Sequence, residues 1–306
     1  MRPAWSVVIF TTIAGAGQGL FLMLVLGDVV FGLPGRLLFA GAVVALGFTG
    51  VGLVSSTFHL GHPERGWRAA AMWRTSWLSR EVIVLPAFMA SVFFWAAGLW
   101  LGWSDGVMLL IMSLGVVTAL LLYLCTAMIY ACLPFLQEWR TPLTVFNYFA
   151  IGLTTGTFVA ALVSAVLHPP MAAVFAMGAL VIGSFAYLGR LASLARNARL
   201  RPKSSLASAT GVKHPRIVQI AQGSMGGSFN TREFFHGRPR EVVRAFRLAM
   251  LVLMLPVPSL FVLGGGPSVG VLAVALVAHY AGVLAERWYF FAEARHPQNL
   301  YYQAIA

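Results

Sequence analysis

The side chains with most chemistry to offer gather in one block, His59 to Glu81, reading HLGHPERGWRAAAMWRTSWLSRE. It holds His59, His62, Glu64, Glu81, Arg65, Arg68, Arg74 and Arg80, with Trp67, Trp73 and Trp77 among them, and strongly apolar sequence lies on both sides. An imidazole gives or takes a proton near neutral pH. A carboxyl at the edge of a low-dielectric bundle favours its neutral form unless a cation such as Arg80 offsets the desolvation. His59 ends one apolar run and Glu81 begins the next, so a loop that folds back brings both to one mouth of a helix bundle as a proton-handling pair. The plainer reading of the same two residues is helix capping and headgroup contact at a membrane surface.

A second group lies on the last apolar run, AHYAGVLAERWYFFAEARHP, which carries His279, Glu286 and Arg287. Ionisable groups inside a spanning helix usually face the bundle and pair with one another. His279 and Glu286 are seven residues apart and share a helix face, so a path between them along the helix is open; the plainer reading of His279 is a hydrogen-bonded core residue. Haem would need two histidines at similar depth on facing helices. Only His279 lies well inside an apolar run, which argues against haem. Cys125 and Cys132 stand two turns apart on one face, too far to bridge each other. They are the chain's two cysteines, so it lacks the grouped thiolates that hold iron-sulfur clusters, and any cluster in its function must belong to a partner. A transporter, with broken helices and ionisable groups at the bilayer midplane, stays open as an alternative through Pro86, Pro256 and Pro258.

The elements that must position these residues follow from composition. Of 306 residues, 59% are hydrophobic and 10% charged, with a mean hydropathy of +0.82, values that belong to polytopic membrane proteins. Apolar runs of about 20 residues span a bilayer as helices. Eight are predicted: 5–27, 37–58, 82–103, 107–133, 144–167, 171–193, 246–263 and 268–291. The fold class is therefore an all-α integral membrane protein. The first run extends to about Leu26 with no small-residue cleavage site before Asp28, so it reads as a span rather than a signal peptide. Eight spans put both termini on one side together with the loops after helices 2, 4 and 6, and every Lys and Arg except Arg36 falls there. By the positive-inside rule that side is cytoplasmic, and orientation accounts for the net charge of +12 better than nucleic-acid binding does.

Three regions result: 1–194 with helices 1–6, a basic loop at 195–245, and 246–306 with helices 7 and 8 and the tail. The loop carries Arg196, Arg199, Arg201, Lys203, Lys213, Arg216, Arg232, Arg238 and Arg240, and a GSMGGS run at 223–228. It has too little apolar content to bury a core of its own. Its scattered Ile217, Val218, Ile220, Phe229, Phe234 and Phe235 favour ordering by a partner over the alternative, an unstructured basic loop facing lipid. Gly15 and Gly19 in helix 1 and Gly152 and Gly156 in helix 5 repeat one spacing, which suggests two four-helix halves and reads first as close packing.

His-Leu-Gly-x-Pro at 59–63 followed by Ser-x-Glu at 79–81 resembles the membrane-anchor subunits of the dimethyl sulfoxide reductase family. The runs ERWYFF at 286–291, NTREFFHG at 230–237 and ARHPQNLYYQ at 294–303 look closer to the branch serving cytoplasmic sulfite dehydrogenases. The resemblance covers essentially the whole chain. It implies an eight-helix, haem-free anchor in the bacterial inner (cytoplasmic) membrane that exchanges electrons between a quinone, ubiquinone or menaquinone, and an iron-sulfur subunit. That subunit in turn serves a molybdopterin catalytic subunit on the cytoplasmic side. His59 and Glu81 carry over as quinone-site residues and Arg287 as the basic residue at the end of the last helix, with Arg65 and Arg80 near enough to stabilise anionic forms of the quinone. Where the family can have a carboxylate earlier in helix 8 this chain has Val283, and its Glu stands at 286. Sulfite oxidation coupled to quinone reduction is the first reading. Quinol oxidation serving a dimethyl sulfoxide or N-oxide reductase is the alternative within the family.

Overall fold

The computed structural model of the chain describes residues 1–58, 60–220 and 229–301. Among them eight segments are long and apolar enough to cross a bilayer, as the apolar runs predict. They are α1 (Trp5–Phe31), α2 (Gly35–Thr57), α3 (Trp77–Leu101), α4 (Asp105–Ala131), α5 (Pro142–Leu167), α6 (Ala172–Asn197), the broken pair α9 (Arg240–Leu253) and α10 (Pro256–Gly265), and α11 (Val269–Glu293). A 3-10 segment, Pro63–Met72, joins α2 to α3, and two short helices, α7 (Leu206–Thr210) and α8 (Phe229–Glu233), interrupt the long loop.

Helix α1 is the most enclosed span, and small residues are the reason. A Cβ on Gly19 would collide with the Gly152 carbonyl, and one on Gly156 with the backbone of Gly19 and Leu20. The two glycine pairs noted in the sequence thus face each other across α1 and α5 and let the helices touch backbone to backbone. The Tyr123 hydroxyl of α4 donates to the Gly15 carbonyl of α1 at 2.6 Å. Threonines inside the spans satisfy their hydroxyls on their own helices, as Thr49 does on the Ala45 carbonyl at 2.8 Å and Thr154 on that of Ala150 at 2.7 Å. Leu109, Leu110 and Leu120 of α4 are exposed, which suits a surface solvated by lipid.

Several boundaries differ from the hydropathy reading, and helix α1 runs on to Phe31. Helix α3 begins at Trp77, where the Ser76 side chain accepts from the Ser79 amide as N-cap; Glu81 therefore sits in the second helical turn. Helix α6 runs on to Asn197. The seventh span starts at Arg240, because its first turns are amphipathic and carry Arg240, Glu241, Arg244 and Arg247; a hydropathy window passes over such turns. Pro86 lies within a continuous α3. Pro256 and Pro258 do interrupt the seventh span, between Leu253 and Pro256, because neither proline has an N–H for the carbonyl four residues earlier.

One end of the bundle gathers both termini and the long loop. The Met1 amine donates to the Ala294 carbonyl at 2.7 Å, the Arg2 amide to that of Glu233 at 2.9 Å, and the Tyr301 hydroxyl to that of Ala209 at 2.6 Å. Phe234 stacks on His296 at 3.7 Å, while the Asn299 side chain holds the Phe234 carbonyl. Burial and the nearby N-terminal amine push both His236 and His296 below the ordinary imidazole range. The loop's ends are thus fastened by the chain's own termini, and residues 221–228, with the GSMGGS run, lie outside the described residues.

Candidate functional site

Glu81 is 4% exposed. Among the described residues its hydrogen-bond partner is the Thr126 hydroxyl of α4, which donates to Oε1, so the other carboxylate oxygen is left uncommitted. Thr126 also lines a cavity of about 10 Å³ between α1, α3, α4 and α5, together with Thr11, Gln18, Tyr123 and Tyr148.

Tyr148 of α5 and Tyr130 of α4 lie with rings nearly parallel, centroids 5.7 Å apart. Both stand within electrostatic reach of Glu81 and of Arg287. The Arg287 guanidinium covers the Tyr148 ring at 3.5 Å, a desolvated cation–π contact. The two candidate groups, from α3 and from the end of α11, therefore converge on one tyrosine pair.

Behind Arg287 lies a buried ionic cluster. Arg190 of α6 pairs with Glu286 at 3.2 Å and gives both terminal nitrogens to Glu293 at 3.0 Å; Arg287 stands 3.7 Å from the second oxygen of Glu286. Two guanidinium groups and two carboxylates balance. A buried charge persists only when paired in this way.

Of the remaining candidates, His59 lies outside the described residues. Arg65 is on the exposed 3-10 segment, 3.7 Å from the exposed Glu64, and is not brought to Glu81. Arg80 directs its guanidinium to the Trp73 and Arg74 carbonyls, each at 2.9 Å, and lies over the Trp77 ring at 4.2 Å; it pins the loop that leads into α3. Cys125, beside Thr126 in sequence, feels the charges of both Glu81 and Arg80.

His279 is a core residue with both ring nitrogens engaged. Nδ1 meets the Met254 carbonyl at 2.6 Å, and since a carbonyl only accepts, Nδ1 carries the proton; Nε2 faces the Thr155 hydroxyl at 2.9 Å. Met254 is the residue whose helical donor would have been Pro258, so His279 closes the gap that the proline opens. No three His, Cys, Asp or Glu side chains gather as a metal site would among the described residues.

Sequence reasoning passed over Thr126, Gln18, Tyr148, Arg190 and Glu293. Arg190 was legible in principle, being an arginine inside an apolar span. The others become visible only once helices far apart in sequence are packed.

A family model described as DMSO reductase anchor subunit (DmsC) matches residues 1–302. Over 327 aligned positions that cover the whole of both chains, the sequence is 47% identical to a sulfite dehydrogenase subunit of Allochromatium vinosum.

Proposed function

The chain belongs to the DMSO reductase anchor subunit (DmsC) family, and from that premise we propose that it is the quinone-reacting anchor of a molybdenum oxidoreductase, carrying electrons between an iron-sulfur subunit and the quinone pool. The 47% identical relative, a sulfite dehydrogenase subunit, favours sulfite oxidation coupled to quinone reduction. The family's association with DMSO reductase favours the reverse direction, quinol oxidation for reduction of a sulfoxide or N-oxide, as the second reading.

The observation that carries the proposal is Glu81: a carboxyl buried in the bundle, fixed by one hydroxyl, with one oxygen uncommitted among the described residues. A quinone, when bound, takes up two electrons and two protons, or as quinol releases them. Its oxygens call for a group that both donates and accepts, which a carboxyl does. The donor set therefore fits, while the adjoining cavity of about 10 Å³ has room for no ring. Glu81 would hold the ring's oxygen by its free carboxyl oxygen, with His59 as its partner in exchanging protons with water. Thr126 keeps the carboxyl in one rotamer. Arg80 acts by pinning the turn at Trp73 and Arg74 that leads into α3, and Arg65 adds positive charge at the rim. Arg287 lends its field through the tyrosine pair.

The side with both termini we take as cytoplasmic, by its excess of Lys and Arg. There the exposed cations of the long loop offer a surface for the iron-sulfur subunit, which with the molybdopterin subunit holds the other cofactors. Isolation of the chain from membranes with metal analysis tests this assignment. Molybdenum and iron should accompany it in fixed ratio, and a chain isolated intact with neither contradicts the proposal.

A further inference from the structure

We propose that the cavity between α1, α3, α4 and α5 is a site for one ordered water, and that Gln18 and Tyr148 are positioning residues which, through that water, hold the Thr126–Glu81 pair in one hydrogen-bond direction. The inference rests on the reading of Glu81 as the proton-handling carboxyl.

Three observations carry it. The cavity volume of about 10 Å³ is close to the room one water needs. Its wall is mixed where a dry cavity would be wholly apolar: Thr11, Gln18, Tyr123, Thr126 and Tyr148 line it beside apolar residues such as Phe10, Leu85 and Leu122. All five polar side chains are buried, Gln18 at 3% and Tyr148 at 4% exposure; Gln18 Oε1 has no hydrogen-bond partner among the described residues, and the Tyr148 hydroxyl makes no hydrogen bond of good geometry there, with Tyr130 and Arg287 as its polar neighbours. Buried polar atoms in native structures are satisfied by protein or by ordered water.

The protons already committed fix the arrangement. Thr11 gives its hydroxyl proton to the Val7 carbonyl at 2.9 Å, Tyr123 gives its own to Gly15 at 2.6 Å, and Thr126 gives its own to Glu81. Gln18 Oε1 can only accept. Tyr148 alone in the cavity wall has a hydroxyl proton left. The water therefore accepts from Tyr148 and donates to Gln18 Oε1 and to the Thr126 oxygen, a full set of partners for a buried water. Every donor in the row from Tyr148 through water and Thr126 then points toward Glu81, and each bond polarises the next. Glu81 is met as an acceptor at Oε1, which leaves its other oxygen for the proton it exchanges.

Two variants test this in the complex as isolated from membranes: Tyr148→Phe, which keeps the ring under Arg287, and Gln18→Met, which keeps the side chain's length. An electron-microscopy map that resolves waters should show density in the cavity for the unmodified protein and none in Gln18→Met. In pH-difference infrared spectra, the carboxyl band identified by its absence in Glu81→Gln should shift in both variants. An empty cavity in the unmodified protein, or a band at its original frequency in both variants, overturns the proposal. Normal quinone turnover in Glu81→Gln would instead remove the reading of Glu81 on which it stands, whatever the map shows.

Discussion

The Thr126 hydroxyl donates to the Glu81 carboxyl inside the bundle and so ties the second turn of α3 to α4, far along the chain. Thr126→Val preserves the shape and removes the donor. A hydrogen bond to a charged group contributes on the order of 1.5–3 kcal/mol, so quinone-coupled turnover should fall about tenfold or more. Thr126→Ser should retain most of it. Equal activity of the valine and serine variants would show that the hydroxyl does not matter.

Arg190 holds Glu286 and Glu293 of the last helix at once. Arg190→Gln leaves Glu293 without its cation and Glu286 with Arg287 alone, and breaking a buried pair from one side costs about 3–5 kcal/mol. The expected result is a clearly lowered unfolding midpoint in detergent. Double replacement of Arg190 and Glu293 by Gln and Gln should recover part of the loss, and a midpoint unchanged by Arg190→Gln contradicts the ionic cluster.

His279 is committed to the Met254 carbonyl and to Thr155. His279→Leu orphans that carbonyl at the proline break, which costs roughly 1–3 kcal/mol, read as a lower unfolding midpoint. With both ring nitrogens engaged, no Soret absorbance should accompany the purified protein. A stoichiometric haem signal would overturn the haem-free assignment.

The spans and their number were legible because a bilayer demands long apolar runs, and the glycine pairs of α1 and α5 were legible because few other residues permit such close approach. The beginning of the seventh span at Arg240 was hidden by its polar first turns. Glu81 and Arg287 stood out as ionisable groups in apolar surroundings. Their common neighbours, Tyr130 and Tyr148, are ordinary aromatics in a sequence with 13% aromatic residues, and only the packing of α4 against α5 and α11 distinguishes them. Arg65 looked equivalent to Arg80 by proximity in sequence, yet the 3-10 segment turns it to water.

The exposed cations of the long loop supply the next prediction. Replacing Lys203, Lys213, Arg216 and Arg238 together by Ala should weaken attachment of the soluble subunits while the chain still inserts, since insertion depends on the apolar spans. Arg196 is left out because it already donates to the Gln137 carbonyl at 3.1 Å. Unchanged recovery of the soluble subunits after a high-salt wash would count against docking at this loop.

The most direct measurement is quinone-coupled turnover of Glu81→Gln in the intact complex, set beside artificial-dye turnover by the soluble subunits. Gln keeps the size of the side chain and removes the titratable group. Quinone turnover should fall by roughly 10²-fold or more, as for loss of a general acid–base residue, with dye turnover unchanged. His59→Ala should act in the same direction, and the double variant should lose much less than the product of the singles, because both are assigned to one site. Near-normal quinone turnover in Glu81→Gln would contradict the account at its centre.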